Sequence, residues 1–446
     1  MIEKNQEYDV DIIDLGIDGE GIAKIDGYTT FVKGALEGEK ARVKMVKVNK
    51  DYGYAKLLDI TETSDLREEP LCPNFGRCGG CELQHLNYES QLRHKVKMVE
   101  TTLRKQLGHE QLVDEIIGMG IPYYYRNKAQ YPTVNGKIGF YADRSHDLIE
   151  NEVCYIQNTL SDRLAKDVFK ILKNNQVSFY DEKSGKGLVR HIVTRVAVNT
   201  NQFMLILVTN GEKIKDKIIK DIVKEYPNIT SIIQNVNTEN TNVILGDKCI
   251  TLYGEDFIID KLGDYKFKIS PLSFYQVNPS QTEILYGLAK DFAELTGNET
   301  IFDLYCGIGT ISIFMADACK QVYGVEVVPQ AIDNANENAE LNEVRNAKFM
   351  LGKVEDVIPG LYNQGIRPDV IFVDPPRKGC DSETLNTIMK MKPKKLIYIS
   401  CNPATLARDL KVLTEDCFDI KAVKLVDMFP QTSHVETCVL LTLKNQ

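Results

Sequence analysis

The chain has 446 residues, enough for two or three domains with large cores, so burial of apolar surface is not limiting. A formal net charge of -9 excludes a protein sheathed in positive potential, and any contact with nucleic acid must come from local patches. No apolar run approaches the roughly 20 residues of a membrane span, the polar start MIEKNQEYDVDIIDLG does not suit a secretory signal, and a cytoplasmic protein without membrane contact is expected.

Residues 1 to about 62 consist of short alternating segments punctuated by glycine, which predicts a small β-barrel. In ARVKMVKV, Arg42 and Lys44 alternate with Ala41, Val43 and Met45, placing charge on one face and apolar side chains on the other. Lys40, Lys47, Lys50 and Lys56 extend the basic character. An RNA-contacting face and a solvated, lysine-protected edge both fit this pattern.

From Cys72 the sequence runs CPNFGRCGGC and leads into a predicted helix through Gln91, Leu92, Val96 and Val99 that also carries Arg93, Lys95 and Lys97. The chain has eleven cysteines, and in a reducing compartment they read as metal ligands, catalytic thiols or core residues rather than a disulfide framework. Cys72, Cys78 and Cys81 have the spacing of metal ligands, with Cys154 in NEVCYIQN as the best candidate for a fourth. Four thiolates hold either a tetrahedral zinc or an iron-sulfur cluster, and the spacing leaves both open. Cys249, Cys306, Cys319, Cys380, Cys417 and Cys438 read as core or incidental. β-like runs such as HIVTRVAV and FMLILVT, with a helical stretch near 160 to 174, make residues 63–270 a central α+β region.

Beyond about 270 strands alternate with helices, the pattern of a doubly wound α/β domain over 271–446. FDLYCGIGTIS puts Asp303 at a strand end and Gly307 and Gly309 in the following turn, where a missing side chain lets backbone approach a ligand. QVYGVEVV ends the next strand on Glu326, placed to accept from ribose hydroxyls. Ser312 stands where a dinucleotide fingerprint has its third glycine, so an adenosine ligand without a pyrophosphate is expected. This arrangement resembles class I S-adenosylmethionine-dependent methyltransferases, a Rossmann-like α/β fold. That resemblance implies a cofactor site lined by Tyr305 and Glu326, with Asp374 at the reacting end.

Two further predicted strands end in chemistry. Val370 to Val373 is followed by Asp374, Pro375, Pro376 and Arg377, and Leu396 to Ile399 by Ser400 and Cys401. A thiol at a strand end faces the ligand crevice of an open α/β sheet. Carbon 5 of uracil is a poor nucleophile, but a thiolate added at carbon 6 generates an enolate that can take a methyl group. A base must then remove the proton from carbon 5. Glu436, at the start of a late strand in TSHVETCVLL, is the candidate, and His434, two residues away and so on the same strand face, is the second choice.

With SFYQVNP from Ser273, DLYCGIGT from Asp303, DPPRKG from Asp374, SCNP from Ser400 and HVET from His434, the chain resembles the RNA uracil-5-methyltransferases. The resemblance is to the iron-sulfur branch that makes 5-methyluridine in 23S ribosomal RNA, and it runs nearly end to end. It implies Cys401 as nucleophile, Glu436 as base, and cofactor contacts from Gln276, Tyr305, Glu326 and Asp374. Thr310 stands where some members have asparagine. Extended through CGGCELQHLNYESQLRHK, it implies a 4Fe-4S cluster on Cys72, Cys78, Cys81 and Cys154, with zinc as the alternative, in an architectural role. The N-terminal unit resembles a TRAM domain, an OB-like RNA-binding barrel. Arg126 and Lys128 resemble residues lining the path to the active site. The implied partner is RNA with its target uridine flipped out, not DNA. The same chemistry on transfer RNA, and a non-catalytic RNA-binding or assembly protein, are the competing readings. Methylation of an amine guided by Asp374 would leave Cys401 idle.

Overall fold

The computed structural model describes residues 2–444. Five strands, Glu7–Leu15, Gly21–Ile25, Tyr28–Lys33, Lys40–Val48 and Tyr52–Glu62, close into the expected barrel, sealed by pairing of the first with the fourth. The alternation read from ARVKMVKV holds: Ala41, Val43 and Met45 are buried in a core with Val10, Ile12 and Val32. Gly53 is required by close packing, since a Cβ there would sit 2.6 Å from the end of Met45 and 2.8 Å from the Lys47 carbonyl.

The central region is built on a seven-stranded sheet. Its middle strands, Lys128–Val134, Val189–Ala197, Gln202–Thr209 and Ser231–Val236, are covered on one face by the helices Thr159–Asn174 and Asp216–Glu225.

The C-terminal α/β sheet has eight strands in the order Ala347–Leu351, Gln321–Glu326, Thr300–Leu304, Val370–Val373, Lys395–Ser400, Glu436–Leu443, Phe418–Val426, Glu115–Ile117. The first five run parallel, which explains their near-continuous apolar character, since helices cover both faces. Strand order reverses between Thr300–Leu304 and Val370–Val373, so a ligand crevice opens there.

The strand Glu115–Ile117 comes from the stretch read as central. It pairs in parallel with Phe418–Val426. The helix before it, Tyr88–Leu107, packs Met98, Val99 and Leu103 against Leu406 and Leu410 of the catalytic core. Asn87 caps this helix through the Ser90 N–H at 2.9 Å, and Gly108 ends it with φ of 76°.

The basic face expected on this helix is largely consumed by ion pairs. Lys95 is fully buried and donates to Asp427 Oδ1 at 2.5 Å and to the Phe429 carbonyl at 3.1 Å. Lys97 reaches Asp14 of the barrel at 2.6 Å, and Arg93 pairs with Glu89 on its own helix at 3.1 Å. Helical spacing alone cannot tell a lysine aimed at solvent from one aimed at a carboxylate more than 300 positions later.

Removing one partner of a buried pair strands the other's charge at a cost of about 3–5 kcal/mol. Asp427→Asn and Lys95→Met are therefore each expected to lower the thermal unfolding midpoint clearly, and the double variant by much less than the sum. Additive losses in calorimetry would show that the two charges do not depend on each other.

Candidate functional site

A cavity of about 980 Å³ opens at the carboxyl ends of the parallel strands. Its cofactor half follows from the turn after Leu304. Tyr305 and Cys306 donate their N–H groups to the Val325 carbonyl at 3.0 and 3.1 Å, drawing the turn onto the neighbouring strand. Tyr305 takes φ of 71°, a left-handed conformation costly for a residue with a side chain and often found at functional sites. Gly307 has φ of 54° and open space where a Cβ would be, whereas a Cβ on Gly309 would lie 2.9 Å from the Phe349 ring. One glycine therefore leaves room for ligand and the other for packing.

The Glu326 carboxylate accepts from the N–H groups of Gly307, Val327 and Val328 at 3.2, 2.8 and 3.0 Å. These bonds fix it at the cavity wall, ready to take hydroxyl donors. Ser312 donates to buried Asp303 at 2.6 Å, while the other Asp303 oxygen has no partner. Burial pushes Asp303 up to about 6. Gln276 lines the same cavity, and its carbonyl accepts from Asn127 at 3.1 Å. Thr310 is also there, 3.2 Å from the Tyr286 hydroxyl.

The reacting half is set by strand register. Glu436–Leu443 runs antiparallel to Lys395–Ser400 with Thr437 opposite Ser400. Cys401 immediately follows Ser400 and Glu436 immediately precedes Thr437, so thiol and carboxylate leave this last rung at the same edge of the sheet. Asp374 follows Val373, which pairs with Leu304 on one side and Tyr398 on the other. Cys401, Glu436 and Asp374 thus line one cavity.

Their charges oppose one another. Burial, then Glu436 and Asp374, push the Cys401 thiol up to about 11, with Arg377 pulling the other way. Glu436 is raised by burial and then by Asp374, again opposed by Arg377, and one of its oxygens has no hydrogen-bond partner. Asp374 is pushed up to about 7 by burial and Asp303. Burial and mutual repulsion thus disfavour charge on all three groups, and a carboxylate acceptor stands in the same cavity as the thiol.

His434 precedes the strand, which starts at Glu436, yet it lines the same cavity as Cys401 and Glu436, exposed at the mouth with Nε2 3.4 Å from Arg377 Nη2. Arg377, Phe274, Tyr286 and Phe429 line the cavity without having been given a role from sequence. The motifs DPPRKG and SFYQVNP contained the signal for the first two, whereas Tyr286 and Phe429 arrive through tertiary packing.

Cys72, Cys78, Cys81 and Cys154 all line a second cavity of about 380 Å³ that shares Arg126, Arg377, Phe429 and His434 with the first. Four soft donors from two segments on one cavity wall suit a thiophilic metal centre. The cysteines are free thiols, and among the described residues no group of three or more His, Cys, Asp or Glu side chains forms a ready chelate. Lys128 also lines this cavity, pushed down to about 7 by burial and by Arg195 and Arg126.

The tRNA (Uracil-5-)-methyltransferase family pattern matches residues 251–444, and the TRAM domain pattern matches residues 3–58. An uncharacterized RNA methyltransferase of Halalkalibacterium halodurans is 49% identical over 452 residues, covering 100% of this chain and 98% of that protein. One from Listeria innocua is 50% identical over 451 residues, covering 100% and 99%. Among solved structures, the Pyrococcus abyssi tRNA (uracil-54, C5)-methyltransferase in complex with S-adenosyl-L-homocysteine superposes with a TM-score of 0.80 at 28% identity, covering 98% of this chain and 100% of that one. With relatives this similar over their full length, and with the glycine turn and strand-end residues in place, the chain belongs to the RNA methyltransferases, with a catalytic domain of the tRNA (uracil-5-)-methyltransferase family behind an N-terminal TRAM domain.

Proposed function

We propose that this protein methylates carbon 5 of uridine in 23S ribosomal RNA through a covalent adduct on Cys401, with Glu436 as the base. The observation that carries the reading is that Cys401 and Glu436, flanking the Ser400–Thr437 rung, line one cavity. Glu326, Tyr305, Gln276 and Asp374 would hold S-adenosylmethionine, which when bound supplies the methyl group. Cys401, as thiolate, adds to uracil carbon 6, and the electron pair of the 5,6 double bond moves to form the enolate. Arg377 favours the thiolate by its charge. Once carbon 5 carries the methyl group, Glu436 takes its proton, the double bond re-forms, and Cys401 leaves as thiolate.

The preference for ribosomal RNA rests on the combination of barrel and cysteine loop. The four thiols would hold a 4Fe-4S cluster in an architectural role, since methyl transfer to uracil requires no electron. Transfer RNA is the second reading, favoured by the named substrate of the Pyrococcus abyssi neighbour. Mapping the methylated nucleotide in cellular RNA decides between them.

RNA containing 5-fluorouridine, which lacks the proton to be removed, is expected to trap a covalent complex visible on denaturing gels. Cys401→Ala should trap none, and an adduct with that variant would move the nucleophile elsewhere. Glu436→Gln should lower kcat by about 10²–10⁴-fold and accumulate methylated adduct on ordinary RNA. Clean turnover would remove Glu436 as base.

The pH profile follows from the paired carboxylates. Because Asp374 raises Glu436, Asp374→Asn should shift the acidic limb of kcat/KM to lower pH, whatever its effect on cofactor binding. Both folded-state values lie above the ordinary carboxylate range. The stability Asp374 contributes is therefore full below about 4 and lost as pH rises through about 7, and the same variant should gain relative stability above neutrality. An unmoved limb would show that the two carboxylates titrate independently.

Cys72→Ala is expected to lose iron and RNA affinity together. Full iron content by metal analysis in that variant would overturn the ligand assignment.

A further inference from the structure

The barrel carries a feature that neither the fold nor the catalytic site requires. Phe31, Tyr52 and Tyr54 form a closed triangle of rings, with centroids 5.9 Å apart for Phe31 and Tyr52, 5.6 Å for Phe31 and Tyr54, and 5.9 Å for Tyr52 and Tyr54. The barrel core is complete without them. Tyr52 is 42% exposed, and Phe31 and Tyr54 are half-buried on the outward face.

Register places cations beside these rings. Phe31 stands opposite Tyr54, and Tyr54 opposite Lys47. Two residues along from Phe31 and Tyr54, hence on the same face, Lys33 stands opposite Lys56, and, across a bulge between Met45 and Lys47, Lys56 stands opposite Lys44. Lys33 is tied to Asp143 at 2.6 Å. Among the described residues Lys44, Lys47 and Lys56 make no ion pair, although Lys40 and Arg42 on the same strand are matched by Glu62 and Asp9.

We propose that this face is a stacking platform for unpaired bases of a single-stranded RNA segment, with Phe31, Tyr52 and Tyr54 taking bases and Lys44, Lys47 and Lys56 taking the phosphates between them. Aromatic rings beside a row of cations match the alternating base and phosphate of a single strand, whose bases expose their faces. A duplex hides those faces and offers only its backbone. An acidic protein partner would match the lysines but would have no use for the exposed ring faces beside them.

The location fits the catalytic reading, on which the choice of RNA as ligand rests. The Lys33–Asp143 pair fastens this face to the segment that pairs with the cysteine loop through Ala142 and Cys78. The cysteine cavity in turn shares four wall residues with the catalytic cavity.

The chain contains no tryptophan, so Tyr52→Trp in the full-length protein provides a single indole reporter at the rim of the triangle. Single-stranded poly(A) is expected to quench it, and poly(A)·poly(U) duplex at equal nucleotide concentration to quench it far less. Tyr52→Ala, in which an exposed ring is removed from outside the core, should weaken poly(A) binding by about 5- to 100-fold. Lys47→Gln should lower the salt slope of binding by about 0.7. Equal quenching by duplex, no quenching, or unchanged poly(A) affinity in Tyr52→Ala would overturn the platform. These readouts need neither cofactor nor turnover. Quenching that persists in an enzyme unable to form the 5-fluorouridine adduct would leave the platform standing and sink the catalytic reading, and the reverse pattern would do the opposite.

Discussion

The site depends on one backbone constraint: the antiparallel strand Glu436–Leu443 lies between Lys395–Ser400 and Phe418–Val426. Every other strand from Ala347–Leu351 to Lys395–Ser400 runs parallel and delivers its carboxyl end to the crevice. An antiparallel neighbour delivers its amino end instead. Glu436 is the first residue of that strand, so a carboxylate comes to the same edge as Cys401 although 35 positions separate them in sequence. A register slip of one residue would turn Glu436 to the opposite face. The apolar run after it, buried on both faces, holds the register.

The electrostatics follow from placing acids on adjacent strand ends. Asp303, Asp374 and Glu436 sit near one another where burial disfavours charge, and each is raised by burial first and by a neighbouring carboxylate after that or, for Asp303, by the more distant Glu326. Arg377 is the cation that opposes this at both Cys401 and Glu436. It follows the two prolines after Asp374, which cannot continue a ladder and so turn the chain across the mouth. Burial and the neighbouring acids disfavour the thiolate, and Arg377 is the side chain that favours it. A reaction that starts from thiolate therefore depends on Arg377 against the cost of desolvation.

What sequence revealed follows the range of its signals. Barrel alternation, the glycine turn, and the strand ends at Asp374 and Cys401 are local patterns, and all appear where period and turn chemistry put them. Glu436 was legible as a strand start, but its partner was not, because register between distant strands is fixed by packing. His434 reaches the same cavity as Glu436 from outside the strand, so loop geometry rather than alternation brings it there. Lys95 misled: its helix was placed correctly, yet the residue is buried against Asp427. The segment containing Glu115–Ile117 joins the catalytic sheet rather than the central one for the same reason, since three residues carry too little pattern to name their sheet.

These long-range contacts converge on the segment between Asp427 and His434, which carries Phe429 and His434 to the cavity mouth and leads directly into Glu436. Its own strands do not hold it. Lys95 holds Asp427 and the Phe429 carbonyl, Tyr125 donates to the Pro430 carbonyl at 3.0 Å, and Gln91 brackets Gln431 by donating to its side chain and accepting from its backbone N–H. Gln431 takes φ of 70°, a conformation that persists only where its surroundings over-determine it. The surroundings include the end of the cysteine loop, because Glu82 and Leu83 donate their N–H groups to the Gln431 carbonyl at 3.1 and 3.0 Å, and the Glu82 carboxylate accepts from Ser433 at 3.3 Å. The residue after Cys81 thus grips the turn that aims Glu436. Whatever orders the four cysteines also orders the approach to the base, which gives the cysteine loop a mechanical connection to the chemistry without requiring it to take part.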